Sequence, residues 1–442
     1  MTNLSQPINK NNLHLIKNPT LLQYAKLFTT IEKKTVENIL NFGIPLEIEK
    51  EKHPFLQTKS LQATYENNNK SIYINNISPA CIGCRTGEKS FTSFVSLKCH
   101  RNCYFCFNEN QDNYTMYATK EKDLILEIQE VLKEQPDLKY CAITGGEPLL
   151  FEKEVLNFLD YLNLVSPTTH TRLYTTGDLL TENNLSLLKE SNLNEIRISI
   201  KMDDSEQKIN HILKNIELSK KYIPQVMVEM PVIPGTLEEM KNLLLRLEEI
   251  GIFSINLLEF CYPLKDPSEF NKRGFQLKNP PYESYYNFWY AGGLAIAQSE
   301  ELCLELLQFA IDNNFKMGVH YCSLENKFTG QIYQQNKVTL TNPFYEFSTN
   351  DYYYKTAKVF GKDIKKILST LELKKIRYSY NREYDFLQLA PSSILEIANE
   401  KVEIAIISVV IEPNNVMKEV NLSLTTPTAY QKNQATALEV LT

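Results

Sequence analysis

Three cysteines stand close together in the chain, at Cys99, Cys103 and Cys106. Thiolates at this spacing on one tight loop can bind three irons of a cubane [4Fe–4S] cluster. The fourth iron then has no protein ligand and is open to another molecule. The sequence therefore predicts an iron–sulfur cluster with one exchangeable coordination position.

A second motif, Thr-Gly-Gly-Glu-Pro-Leu, occupies residues 144–149, directly after the apolar run 140–143. In this order the two motifs resemble the radical S-adenosylmethionine (radical SAM) superfamily. The resemblance implies two cofactors, a [4Fe–4S] cluster and SAM, whose amino and carboxylate groups chelate the open iron. It also implies a reductant such as flavodoxin or ferredoxin, and a 5′-deoxyadenosyl radical that abstracts hydrogen from the substrate.

The same resemblance assigns residues to SAM. Phe105 matches the aromatic residue that borders the adenine, and Gly145 and Gly146 match the glycines that let the backbone approach the SAM amino group. Glu147 follows in the same motif and is a candidate contact as well. These four residues are the predicted SAM-binding set around the first two strands.

A second set lies further along the chain. Ser199-Ile-Lys201 resembles the branch that includes the glycyl-radical-enzyme activases, in which a lysine at this place meets the SAM carboxylate. Residues 226–235 resemble the fifth strand and turn of that branch. Glu229 within them is a candidate catalytic residue; it is either a SAM or substrate contact or an acid with a local partner. Cys261, at the end of the last predicted barrel strand, is the other catalytic candidate.

The remaining cysteines allow two further interpretations. Cys81-x-x-Cys84 and the second C-x-x-C pair, 103–106, have the separation of a zinc ribbon, which would make the protein a non-enzymatic interaction module. That alternative leaves Cys99 without a role. In the other interpretation, Cys81, Cys84, Cys261 and Cys322 bind a second centre, either an iron–sulfur cluster or a mononuclear metal, unless one pair is a structural clip and the rest are core thiols.

Alternating strands and helices predict an α/β protein built on a partial (β/α)6 TIM-like barrel, whose chemistry sits at the carboxyl ends of the strands. The predicted strands are 94–97, 140–144, 171–175, 195–200, 225–230 and 253–260, and the helices are 122–133, 152–164, 184–190, 206–220 and 237–250. The predicted segments are an N-terminal helix and hairpin extension with the first C-x-x-C pair (1–90), the barrel (91–265), a bridging region (266–370) and a small β-rich unit (371–442).

The bulk composition limits the partners. The net charge of −6 over 442 residues, with no basic stripe, argues against nucleic acid, and no apolar stretch is long enough to span a membrane. Nine clustered cysteines do not suggest a disulfide framework, so we expect a cytoplasmic protein. The preferred function is radical SAM modification of a peptide or protein. The alternative within the superfamily is activation of a glycyl radical enzyme.

Overall fold

The computed structural model describes residues 6–50, 53–286, 292–338 and 340–439. The chain divides into two compact units. One unit comprises residues 42–282 and 288–330, and the other comprises residues 1–41, 283–287 and 331–442. Among the described residues, no helix combines the length and the apolar character that crossing a membrane requires.

The strands, numbered in chain order, are β1 (Gln6–Pro7), β2 (Thr64–Glu66), β3 (Ser71–Ile74), β4 (Ser90–Phe94), β5 (Tyr140–Thr144), β6 (His170–Thr175), β7 (Glu195–Ile198), β8 (Gln225–Val232), β9 (Ser254–Glu259), β10 (Cys261–Tyr262), β11 (Leu294–Ala295), β12 (Gly318–Cys322), β13 (Glu346–Phe347), β14 (Tyr354–Phe360), β15 (Ser379–Asn381), β16 (Phe386–Leu389), β17 (Ile404–Ile411) and β18 (Met417–Thr425).

The α-helices are α1 (Pro19–Leu40), α2 (Pro54–Gln57), α3 (Pro79–Cys84), α4 (Tyr114–Tyr117), α5 (Leu124–Glu134), α6 (Glu152–Val165), α7 (Glu182–Glu190), α8 (Glu206–Ser219), α9 (Leu237–Ile250), α10 (Ser268–Lys272), α11 (Ser299–Asp312), α12 (Thr329–Asn336), α13 (Ile364–Leu373) and α14 (Pro427–Glu439). Short 3₁₀ turns lie at Leu13–Leu15, Asn108–Asn110, Pro148–Phe151, Glu325–Phe328, Gly361–Asp363 and Pro391–Ile397.

The first unit is built on one open sheet with the strand order β2-β3-β12-β9-β8-β7-β6-β5-β4. The strands from β4 to β9 and β12 run parallel, because each is linked to the next by a helical crossover. The hairpin β2–β3 joins the sheet antiparallel to β12. The predicted α/β class and partial barrel are confirmed, with β12 as a seventh parallel strand that the sequence pattern did not indicate.

Alternate residues of the strands face opposite sides of the sheet, and the two sides differ in chemistry. On β7, Ile196 and Ile198 belong to the apolar core that also contains residues of the helices. Glu195 and Arg197 are buried on the other side. The helices therefore pack against an apolar outer face, and the inner face of the barrel sheet is polar.

The second unit contains a sheet in the order β1-β18-β17-β14-β16-β15, with β13 paired to β14. Its core joins residues of α1, such as Leu21, to β17 and β18. This organisation differs from the predicted segments in two ways. The N-terminal helix belongs with the β-rich unit, which begins near residue 331 rather than 371, and the hairpin and β12 belong to the barrel sheet. Strand pairing over long sequence separations decides both points.

Candidate active site

The three clustered cysteines lie on the loop that follows β4, at the carboxyl end of the barrel sheet. Cys99 is exposed, Cys103 and Cys106 are half-buried, and all three are free thiols. The backbone N–H of Cys106 donates to the carbonyl of Cys103 at 3.0 Å, and the N–H of Arg101 donates to Cys99 Sγ at 3.4 Å. Burial raises the pKa of the Cys99 and Cys106 thiols. We call residues 99–106 the cluster loop.

Arg101 anchors the cluster loop to the ends of two neighbouring strands. Its side chain is 5% exposed and donates to Asp178, which follows β6, at 2.5 and 2.8 Å, and to Asp204, which follows β7, at 2.8 Å. His100 Nε2 lies 2.8 Å from the same Asp178 carboxylate. Burial of Asp178 acts to raise its pKa, but the bonds from Arg101 and His100 outweigh it and hold the pKa well below its usual range. A fixed ion pair therefore positions the loop.

Gly145 and Gly146 pack against the backbone that leads into the cluster loop. Gly145 has φ +110°, and a Cβ there would stand 2.6 Å from the carbonyl oxygen of Ser96. A Cβ on Gly146 would stand 1.9 Å from the carbonyl oxygen of Lys98. The N–H of Gly146 donates to Ser96 at 3.0 Å. Both glycines are needed where β5 meets the loop after β4, whatever they contact in SAM.

Glu147 is fully buried, and its carboxylate binds the chain itself. Oε1 accepts from the Thr175 hydroxyl at 2.8 Å and from the N–H of Leu149 at 3.1 Å. Oε2 accepts from the N–H and the hydroxyl of Thr176, each at 2.7 Å. We therefore assign Glu147 to joining the ends of β5 and β6, and its direct contact with SAM stays a prediction.

Lys201 lies beside Phe105, whereas the Ser199 side chain bonds to a neighbouring strand instead. Lys201 Nζ lies 5.8 Å from the centre of the Phe105 ring, and its ion pair with Asp203 is loose, at 3.7 Å. The Ser199 hydroxyl donates to the carbonyl of Glu229 on β8 at 3.1 Å. Lys201 thus presents a cation beside the cluster loop, and Ser199 ties two strands together.

These residues fit an iron–sulfur cluster and SAM. Iron–sulfur clusters take thiolate ligands, and three free thiols stand on one anchored loop with an N–H already donating to one sulfur. Lys201 supplies a cation of the kind that a carboxylate requires, next to an aromatic ring. Throughout the described part of the chain, no group of three or more Cys, His, Asp or Glu side chains is placed to hold a single metal ion. A cubane spreads its irons, so its ligands do not need to converge in that way.

Glu229 belongs to a hydrogen-bonded network on the inner face of the sheet. Its Oε2 accepts from Arg197 at 2.5 Å and from Asn256 Nδ2 at 2.7 Å. Asn256 Oδ1 lies 2.9 Å from His320 Nδ1, and His320 Nε2 lies 2.9 Å from the Ser71 hydroxyl. Of the two alternatives for Glu229, the structure favours a carboxylate with local partners.

Sequence reasoning missed most of this network and the Arg101 anchor. The charged residues at alternate positions of Glu195-Ile-Arg197-Ile-Ser199 were the available signal, because they indicate a strand with one polar buried face. No local pattern signals that Arg101 pairs with Asp178, because the two meet only through the fold.

The predicted second centre is brought together in part. The Cys81 sulfur accepts from Arg197 at 3.3 Å and from Asn256 at 3.4 Å, and Cys84 lies on the same short helix. Burial raises the pKa of Cys322 to about 12, and the charges of Cys81 and Cys84 add to this effect. The surroundings of Cys261 are different: its sulfur lies against Gly293. Among the described residues, which include all four thiols, no three side chains are placed to hold one metal ion, so the second centre stays a prediction.

The two C-x-x-C pairs do not form a zinc ribbon. Cys81 and Cys84 lie among inner-face residues, whereas Cys103 and Cys106 lie on the cluster loop at the carboxyl end of the sheet. No set of side chains that could bind one metal ion exists among the described residues, which include all nine cysteines. The zinc-module prediction is therefore wrong, because the barrel separates pairs that are close in sequence.

Comparison with known proteins relates part of this chain to a family. Residues 94–247 match the model of the Radical SAM superfamily. A Methanocaldococcus jannaschii protein assigned as a glycyl-radical enzyme activating enzyme is 33% identical over 250 residues, which cover 55% of this chain and 62% of the relative. A protein of the same organism assigned as a GTP 3′,8-cyclase is 27% identical over 193 residues, covering 40% of this chain and 60% of the relative.

Among solved structures, Streptococcus suis SuiB bound to S-adenosylmethionine has a TM-score of 0.39 and 14% identity, covering 53% of this chain and 50% of SuiB. The match over residues 94–247 supports the predicted resemblance to the radical SAM superfamily, and this family implies the two predicted cofactors, SAM and a [4Fe–4S] cluster. The chain spans about three-fifths of the length of the two M. jannaschii relatives.

Proposed function

We propose that this protein is a radical SAM enzyme that acts on a peptide or protein substrate. When bound, the cluster and SAM supply a 5′-deoxyadenosyl radical able to abstract hydrogen from a C–H bond. The observation that carries the proposal is the three-cysteine loop, which Arg101 anchors beside Gly145 and Gly146 at the carboxyl end of a parallel sheet. A small electron carrier such as flavodoxin or ferredoxin is the proposed reductant.

Each candidate site residue has a distinct task in this proposal. Cys99, Cys103 and Cys106 hold three irons and leave the fourth for SAM. Lys201 neutralises the SAM carboxylate, and Phe105 borders the adenine. The buried ion pair of Arg101 keeps the loop in place. The polar inner face of the sheet receives the substrate.

A polypeptide substrate is supported by the relative assigned as a glycyl-radical enzyme activating enzyme, since such an enzyme acts on another protein. Activation of a glycyl radical enzyme is therefore the specific alternative within this class. Lys201 after Ser199 also favours it. We propose the broader class because the chain and this relative share only part of their lengths.

The test is anaerobic reconstitution with iron and sulfide, followed by measurement of 5′-deoxyadenosine after addition of SAM and dithionite. We expect the product from the natural protein and none from the variant in which Cys99, Cys103 and Cys106 are all alanine. Cys303→Ala, which alters a core thiol of α11, is the matched control and should retain activity. Cleavage by the triple variant would refute the cluster assignment.

A second measurement separates the two substrate classes. Purified protein, SAM and reductant are incubated with a candidate polypeptide encoded beside this gene. A glycine-centred radical detected by electron paramagnetic resonance supports an activase. A stable mass change in the polypeptide supports direct modification. Cleavage of SAM with neither effect on any polypeptide, but with turnover of a small metabolite, would contradict the polypeptide assignment.

A further inference from the structure

Two arginines lie on the inner face of neighbouring barrel strands. Arg172 on β6 and Arg197 on β7 flank the Tyr174 ring, with guanidinium carbons 6.0 and 5.3 Å from its centre. Arg172 is 6% exposed and Arg197 3%. Both cations are therefore buried beside the same ring, and each requires a compensating negative charge.

Arg197 has its partners within the chain. Its Nε donates to Glu195, its Nη1 to Glu229 at 2.5 Å and its Nη2 to the Cys81 sulfur at 3.3 Å. Glu195 also accepts from the Ser78 hydroxyl at 2.5 Å. Two carboxylates thus surround this guanidinium, and its charge is satisfied.

Arg172 is different. Its Nε is buried and has no hydrogen-bond partner. Among the residues that the structure describes, no carboxylate lies within ion-pair distance of its guanidinium. Arginine keeps its charge in proteins, and a buried cation without a counter-charge is strongly unfavourable. An anion from outside the chain would resolve the imbalance.

We propose that Arg172 forms a binding site for a small oxyanion, a carboxylate or a phosphate group carried by the substrate. The planar guanidinium fork matches the two oxygens of such a group. The assignment of the anion to the substrate rests on the proposed function, whereas the anion site itself does not. Arg172 pairs in register with Glu195 and Ala142, in the amino-terminal half of the sheet.

The position of the site limits the shape of the substrate. Thr176, which binds Glu147 beside the predicted SAM site, is four residues beyond Arg172 and directly follows the end of β6. An extended strand rises about 3.3 Å per residue, so Arg172 and Thr176 are at most about 13 Å apart along the chain direction. A substrate whose anionic group binds Arg172 therefore presents its reacting carbon within roughly this distance.

Solvent reaches this part of the molecule beside Cys84. The Cys84 thiol is exposed, and the preceding Gly83 packs on the Tyr140 ring at the start of β5. The helix that carries Cys84 is held against this face, because the Cys81 sulfur accepts from Arg197 at 3.3 Å and Arg197 flanks the same Tyr174 ring as Arg172. Cys84 can therefore report whether an anion is attracted to Arg172.

The first experiment uses the reconstituted full-length protein and compares iodoacetate, an anion, with neutral iodoacetamide. The rates of Cys84 alkylation are measured by peptide mass spectrometry, and their ratio cancels the reactivity of the thiolate. We expect Arg172→Gln to lower this ratio by about tenfold, because a unit charge several ångströms away is lost. Arg172→Lys should keep most of the ratio, and Arg382→Gln, at an exposed arginine of the other unit, should leave it unchanged.

The second experiment measures thermal stability with acetate, inorganic phosphate or chloride at constant ionic strength. Acetate or phosphate should raise the melting temperature of the natural protein more than that of Arg172→Gln, and the stronger of the two identifies the group. Equal responses together with an unchanged alkylation ratio would overturn the anion site. If the natural protein forms no 5′-deoxyadenosine, the proposed function is overturned, whereas the anion site is not.

Discussion

The buried Glu147 carboxylate offers the sharpest test of how the SAM site is built. Glu147→Gln keeps the size of the side chain but replaces one acceptor oxygen with a donor. The N–H and hydroxyl of Thr176, both 2.7 Å from Oε2, then face an amide NH₂. The Thr176 hydroxyl can rotate and accept from this NH₂, but the backbone N–H is left without an acceptor. A buried donor without a partner costs about 1–3 kcal/mol, so we expect the free energy of unfolding to fall by about that amount.

The assay is urea unfolding of the metal-free variant, with Glu134→Gln, at an exposed residue of α5, as the control. Thr176→Val removes one of the same bonds, so a double-mutant cycle with Glu147→Gln should give a coupling free energy of about 0.5–3 kcal/mol. SAM affinity is measured in parallel on reconstituted protein. If the substitution weakens SAM binding while the free energy of unfolding and the coupling stay unchanged, Glu147 is a direct SAM ligand and the reasoning fails.

The other predictions concern three further side chains. Lys201→Met should weaken SAM binding by about one to two decades, from a charged hydrogen bond worth about 1.5–3 kcal/mol, with the visible absorption of the cluster unchanged. Arg101→Gln leaves Asp178 and Asp204 without their partner, so limited proteolysis should cut residues 99–106 faster and the iron content should drop. Burial lowers the pKa of His320 to about 3, so the unfolded chain binds the extra proton as the pH falls below about 6.5. The free energy of unfolding should therefore decrease by about 2 kcal/mol between pH 7 and pH 5, and His320→Gln should remove this part of the pH dependence in urea titrations.

All six predicted barrel strands are found in the structure. They could be predicted because apolar runs between helical segments are a strong sequence signal. The first of them is displaced: β4 ends at Phe94, and the apolar residues after it lie in the loop. There, Val95 accepts from Lys122 at 2.7 Å and Leu97 donates to Tyr117 at 2.9 Å, so their backbone groups pair outside the sheet. The apolar pattern indicated burial correctly but not the pairing.

The seventh parallel strand, β12, could not be predicted from its own five residues. Val319 and Tyr321 belong to the apolar core, whereas His320 lies in the polar network of the inner face. Gly318 is required because a Cβ there would stand 2.0 Å from the carbonyl oxygen of Asn76. Such a short mixed pattern becomes a strand only where β9 and β3 are present on either side.

The proposed cluster ligands could be named from the sequence because they are local in it, whereas the residues that hold their loop in place are distant along the chain. Arg101 bonds to Asp178, and Glu147 bonds to Thr175 and Thr176. Both sets of hydrogen bonds therefore end on residues 175–178, at the end of β6. The same segment is bound from α8, where Asn215 donates to the carbonyl of the intervening glycine at 2.8 Å. The cluster loop and the glycine motif are therefore fixed relative to each other through one short segment that contains none of the predicted ligands.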